Sequence, residues 1–168
     1  SYRERIKING SLISAYEVAQ FIEQYKADIM NIKPSFFEIT CAMAFDHFAR
    51  HQVDVAIIEV GLGGRLDSTN IITPLISVIT NISFDHQHIL GDTLQQIASE
   101  KAGIIKSNIP VIVGEKQSET TTIFTQKARE VDAKLSFATD DSTLHLDVRT
   151  SRNVFSFTTL NEKWTVQF

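Results

Sequence analysis

Val53-Asp54-Val55-Ala56-Ile57-Ile58-Glu59-Val60, running into Gly61-Leu62-Gly63-Gly64-Arg65-Leu66-Asp67, is the stretch on which the fold turns. Residues 53–60 form a short, nearly continuous apolar run rich in β-branched side chains. Such a run reads as a strand buried on both faces, the signature of a parallel sheet. Leu75 to Ile82 reads as a second such strand and Pro110 to Val113 as a third, shorter one. Helical patterns lie between and after them. Asp92 is placed to cap a helix over 93–105, with Gln95 three residues on, and another helix covers 118–131. Strand and helix therefore alternate, which predicts an α/β body: a mostly parallel sheet flanked by helices.

Upstream of that stretch, residues 5–9 alternate and Asn9-Gly10 makes a turn. Ser14 with Glu17 three residues later opens a helix whose apolar side carries Val18, Phe21, Ile22 and Tyr25. Lys33-Pro34-Ser35 interrupts the chain, and a second helix follows from Phe36 to His51. Phe37, Cys41, Ala44, Phe45 and Phe48 form its core-facing stripe, so Cys41 is read as packing and not as a nucleophile. Downstream, after Lys134, the pattern changes. Leu144–Val148, Val154–Thr158 and Trp164–Phe168 alternate apolar and polar residues, as in an antiparallel strand meander near the C-terminus. The whole, residues 1–168, is expected to be a single domain.

Composition narrows the class. The chain has 168 residues, 43% of them apolar and 21% charged, with a formal net charge of −4. That is enough for a hydrophobic core and speaks against disorder. Acids and bases are interleaved and no Lys/Arg run is present, so no nucleic-acid partner is expected. No apolar stretch approaches the roughly 20 residues that span a bilayer, so no membrane association is expected either. The single cysteine cannot form an internal disulfide, which points to a reducing compartment, the cytoplasm. The N-terminus lacks a signal-peptide core. It begins on Ser1 with charged, structured-looking sequence, as an excised central piece of a longer chain would.

Three residues stand where packing would prefer something apolar. Glu59 ends the first apolar run, where a buried carboxylate must be paired, protonated or metal-bound; the plainer reading is a strand-end side chain reaching water. His86, in Ser83-Phe84-Asp85-His86-Gln87-His88, follows the second strand; a surface loop histidine is the plainer reading. Both lie beyond the carboxyl ends of parallel strands, where ligands gather in open α/β sheets. Lys101 falls four after Ile97 and four before Ile105, on the apolar helical face, whereas Glu100 does not. Such a lysine either snorkels to solvent or has special chemistry, such as uptake of carbon dioxide to form a carbamate that can ligate a metal. Gly61–Asp67 is neither a dinucleotide fingerprint nor a P-loop. A tight turn and a close approach to a ligand account for its glycines equally well.

Several longer motifs occur in series. Arg3–Gly10, Ser35–Glu38, Glu59–Asn70, Asp85-His86, Leu90–Thr93 and Glu100–Lys106 together resemble folylpolyglutamate and dihydrofolate synthases of the Mur ligase superfamily. The likeness covers about residues 1–114; the last third matches only in general character. The resemblance implies an ATP-dependent ligase that adds L-glutamate to a folate or dihydropteroate carboxylate through an acyl phosphate. It also implies magnesium at two sites, with Glu59 a ligand of one and His86 of the other, and a carbamylated Lys101 helping to hold the second. Ser35, Phe36, Phe37, Glu38, Leu66, Asp67 and Ser68 are implied to line the pterin-bearing substrate site. Phe36 and Glu38 lie off the helical stripe and are the stronger candidates there. A monomer acting on small molecules is the expectation.

The family's P-loop has no counterpart in this sequence, so the polypeptide by itself is expected not to turn over ATP. Two other functions compete. One is a carbamyl-lysine metal hydrolase built on His86, His88 and Lys101, although the remaining histidines, His47, His51 and His145, fall outside its motif. The other is a non-catalytic folate-binding module.

Overall fold

A computed structural model describes the backbone of residues 2–149, 152–159 and 163–167, and the side chains of residues 2–140. The chain divides into two compact units. One comprises Ser1–Leu62 with Asp67–Ile71; the other comprises Gly63–Leu66 with Ile72–Phe168.

The first unit opens with a short antiparallel pair, β1 (Lys7–Ile8) and β2 (Ser11–Leu12). Asn9 (φ 50°) and Gly10 (φ 82°) join them. Two successive positive φ values suit the right-handed twist of a two-residue hairpin, and Asn-Gly is the pair that adopts them most readily. Three helices follow: α1 (Ala15–Gln24), α2 (Lys26–Ile32) and α3 (Phe36–Arg50). The capping expected at Ser14 and Glu17 is present in full, and Ser35 with Glu38 forms a second reciprocal box at the start of α3. Lys33, in the left-handed region, ends α2 just before Pro34. Ile6, Ile13, Phe21 and Met43 form the core, with Val18, Tyr25, Ile39, Ala44 and Phe48 against it. Met43 and His47 are buried as well as Cys41, so α3 covers a wider arc than the expected stripe.

In the second unit β3 (Ser77–Ile79), β4 (Val111–Val113) and β5 (Leu135–Phe137) form a parallel sheet in that order. The connections carry α4 (Gln87–Leu90), α5 (Leu94–Ala102) and α6 (Ser118–Glu130). Ile97, Ala98 and Ala102 of α5 and Phe124 and Ala128 of α6 are buried, as are Ile79, Val111 and Val113 of the sheet. After α7 (Ala138–Asp141), β6 (Ser142–Arg149), β7 (Arg152–Thr159) and β8 (Lys163–Gln167) form the expected antiparallel meander. The last residue of the third expected strand, Phe168, lies outside the described residues. No helix among the described residues is long and apolar enough to cross a membrane.

Three expectations are corrected. Residues 53–60 are not a buried strand: they pair with no neighbour among the described residues, and Val55 and Ile57 are 69% and 93% exposed. A β-branched apolar run becomes a strand only where an adjacent backbone accepts its hydrogen bonds. The second strand shrinks to three residues and is buried on one face only, since Val78 between Ser77 and Ile79 is exposed. The α5 cap sits one residue later than read: Thr93 is the N-cap and Gln96 its partner, in place of Asp92 and Gln95.

Candidate functional site

The glycine-rich segment is organised by backbone contacts within each unit. In the first unit Gly61 lies under the Phe37 ring, and a Cβ there would stand 2.3 Å from Phe37 Cζ. Asp67 closes the loop from the other side. Its Oδ2 accepts the Leu62 N–H at 2.9 Å and its Oδ1 accepts the Thr69 N–H at 2.9 Å. The Thr69 hydroxyl donates to the same oxygen. Asp67 therefore acts as an internal staple holding Ser68–Ile71 in a helical turn. Leu66 is exposed.

In the second unit Gly64 and Arg65 run along the C-terminal turn of α5. The Arg65 N–H donates to the Glu100 carbonyl at 2.9 Å, and its guanidinium makes bonds of 3.0–3.2 Å to the Glu100 carboxylate. A Cβ on Gly64 would meet the Glu100 carbonyl oxygen at 2.9 Å, and one on Gly103 would meet Arg65 Cα at 2.4 Å. These glycines are thus required where two backbones touch. Of the tight turn and the ligand approach left open by the spacing, Gly63 has a turn conformation with φ 69°, while at Gly61 and Gly64 the space a side chain would need is filled by the protein itself.

The expected metal ligands divide between the units. His86 and Lys101 belong to the second, Glu59 to the first. Lys101 is half-buried one residue beyond Glu100, and no carboxylate among the described residues pairs with its amine. His86 caps α4 with a left-handed backbone (φ 48°, ψ 38°), and its half-exposed ring lies 3.6 Å from Asp85 Oδ1. Glu59 is exposed. Within the first unit Glu59 offers a carboxylate, an oxygen donor that suits a hard cation such as magnesium; within the second, His86 offers an imidazole and Lys101 an amine.

The expected substrate residues at the start of α3 have partners of their own. The Ser35 N–H donates to Glu38 Oε2 at 2.6 Å, and the Glu38 N–H donates to Ser35 Oγ at 3.2 Å. The Ser35 hydroxyl first, and its backbone N–H second, hold the Glu38 carboxyl below its ordinary value. Phe36 is 64% exposed, with the Tyr2 ring 5.3 Å away, and Phe37 is half-buried. Glu38 also borders an open groove of about 510 Å³ within the first unit, walled by Phe21, Tyr25, Ile29, Ile32 and Ile39 with Asp28 and Asp46 at its edges. The sequence reading missed this groove. Its residues were visible only as the apolar sides of separate helices, and nothing in their spacing says that the helices leave a gap.

Comparison with known proteins gives consistent results. The sequence profile of the Mur ligase middle domain matches residues 13–167. The chain is 44% identical over 135 residues to the dihydrofolate synthase/folylpolyglutamate synthase of Bacillus subtilis, covering 76% of this chain and 31% of that protein. Its structure is similar to the apo form of L. casei FPGS, with a TM-score of 0.90 and 30% identity over 97% of this chain and 42% of that one. It is also similar to E. coli FolC in complex with DHPP and ADP, with a TM-score of 0.85 and 30% identity over 98% of this chain and 38% of that one.

Proposed function

Since the chain belongs to the Mur ligase middle-domain family, we propose that it is the central portion of an ATP-dependent folylpolyglutamate or dihydrofolate synthase. The observation that carries this reading is the series Glu59–Asn70, Asp85-His86 and Glu100–Lys106, which holds the family's order and spacing along one chain. Relatives spanned to 31% of their length bear that name, and a similar structure holds DHPP and ADP.

In this proposal ATP phosphorylates the carboxylate of a folate or dihydropteroate, and the amine of L-glutamate displaces phosphate from the acyl phosphate. Glu59 would hold one Mg²⁺; His86 and Lys101 would hold the second, with the lysine amine converted to a carbamate by loss of a proton and addition of carbon dioxide. Magnesium supplies positive charge that offsets the charge on the transferring phosphoryl group. The Arg65–Glu100 bonds and the Gly64–α5 contact fix the helical turn that bears Lys101. That rigidity is what a positioned ligand needs. Phe36 offers an exposed aromatic face for a flat pterin ring and Glu38 an acceptor for its N–H groups. Ser35 holds Glu38 ionised, and Asp67 acts through the loop it staples beside Leu66 and Ser68. The protein would work as a cytoplasmic monomer on small molecules.

The test is incorporation of labelled glutamate by the full-length protein, with ATP, Mg²⁺ and either dihydropteroate or tetrahydrofolate, beside a Lys101→Ala variant. Incorporation that requires ATP and collapses in the variant supports the proposal, and the preferred acceptor names the synthase. A folded, nucleotide-binding protein that incorporates none with either acceptor refutes it.

A further inference from the structure

Away from these motifs, three side chains of the first unit converge at the end of α3. His47 Nδ1 lies 3.3 Å from Glu17 Oε1, and His51 Nε2 lies 3.4 Å from the same oxygen. All three donor atoms lie within 4.8 Å of one another. A tetrahedral zinc ion with bonds of about 2.0–2.1 Å separates its ligand atoms by about 3.3 Å. Two of the three spacings already match that geometry.

The remaining atoms of these side chains are engaged in a way that aims the donors. The second carboxylate oxygen of Glu17 accepts the Ser14 N–H at 3.0 Å and the Ser14 hydroxyl at 2.6 Å, leaving Oε1 turned toward the histidines. His51 Nδ1 lies 2.9 Å from the His47 carbonyl oxygen. Only an N–H can bond a carbonyl, so Nδ1 carries a proton, and Nε2 is the ring nitrogen that faces Glu17. Outer bonds of this kind, to a carbonyl or a hydroxyl, orient ligands in metal sites. His47 is buried, and burial holds its imidazole below the ordinary value, favouring the neutral form that ligates. Its four-residue spacing from His51 puts both rings on one side of the helix, with centroids 4.3 Å apart. A proton on the facing ring nitrogen, or a metal ion in its place, makes each of these contacts attractive.

We propose that Glu17, His47 and His51 form a binding site for a divalent transition-metal ion, zinc foremost, with a coordination position left open to water. Two nitrogens and one carboxylate oxygen are borderline donors that select zinc over magnesium. The site is separate in composition from Glu59, His86 and Lys101, and stands whether or not those residues serve a ligase.

The test is titration of the full-length protein with Co²⁺, following the visible ligand-field band of a tetrahedral ion, then displacement by Zn²⁺ and by Mg²⁺. The band is expected in the wild type and in His86→Ala, to be discharged by Zn²⁺ and not by Mg²⁺. His51→Ala, at a partly exposed position, and Glu17→Gln, which retains a capping acceptor, are expected to lose it. Their affinity should fall by more than the roughly 10–100-fold typical for loss of an outer-shell partner. Circular dichroism checks that both variants are folded. A band that persists in both variants, one that follows His86 instead, or none in the folded wild type would overturn the proposal.

Discussion

Replacing Gly103 by alanine sets two effects of opposite sign against each other. The residue has φ −60° and ψ −15°, a backbone that alanine adopts freely. On that count the change stabilises by about 0.4–1 kcal/mol through the unfolded chain. Against this, the new Cβ would lie 2.4 Å from both Cα and Cβ of Arg65 and 2.8 Å from its nitrogen. Carbon atoms rest at about 3.5–4.0 Å, so more than about 1 Å must be opened. Arg65 cannot swing aside cheaply, because its N–H and guanidinium are both bonded to Glu100. Overpacking costs about 1–3 kcal/mol, and a clash with pinned backbone belongs in the upper half. The net expectation is a loss of about 1–2 kcal/mol. Urea unfolding should show a lower midpoint at unchanged slope, and thermal unfolding a fall of about 2–4 °C per kcal/mol. Gly10→Ala is the companion measurement. Nothing lies within 4 Å of its Cβ, yet its φ is +82°, so it isolates the conformational cost, about 1–2 kcal/mol. A Gly103→Ala protein as stable as the wild type would refute the reasoning, since the loop would then be free to yield.

Two further outcomes are expected. The Glu38 carboxyl, held down by Ser35, should stabilise the fold fully above its unfolded value of 4.5 and lose that contribution as the pH falls through the lower folded value. Ser35→Ala should therefore flatten the acid loss of stability between neutral pH and about pH 3; an unchanged profile of urea midpoint against pH would show that the box is not the cause. Cys41 is buried, and burial pushes its thiol up, aided by the Asp67 and Glu38 carboxylates. Alkylation by iodoacetamide should be far slower in the native protein than in urea, and equal rates would contradict the packing role.

Local rules carried much of the fold into the sequence. The Asn9-Gly10 turn, the Ser14 box and the Lys33-Pro34 break depend on neighbours within a few residues and are present; the alternating strands of the meander are present too, although their pairing reaches as far as Ser142 to Thr159. The Thr93 cap was missed by one residue, because Asp92 and Thr93 both suit the position and only the geometry of Gln96 decides between them. Lys101 was legible as a cation on an apolar helical face because helical period is a local property, and it is half-buried.

The sequence thus determined the longer helices α1, α3, α5 and α6, that the sheet is parallel and which motif residues to examine. Pairing and convergence were decided by tertiary structure. Whether residues 53–60 form a strand depends on a neighbouring backbone, and their composition does not contain one. The meeting of Glu17 with His47 and His51 was invisible for the same reason. Thirty residues separate Glu17 from His47, and only the packing of α1 against α3 brings their donor atoms to within 3.3 Å.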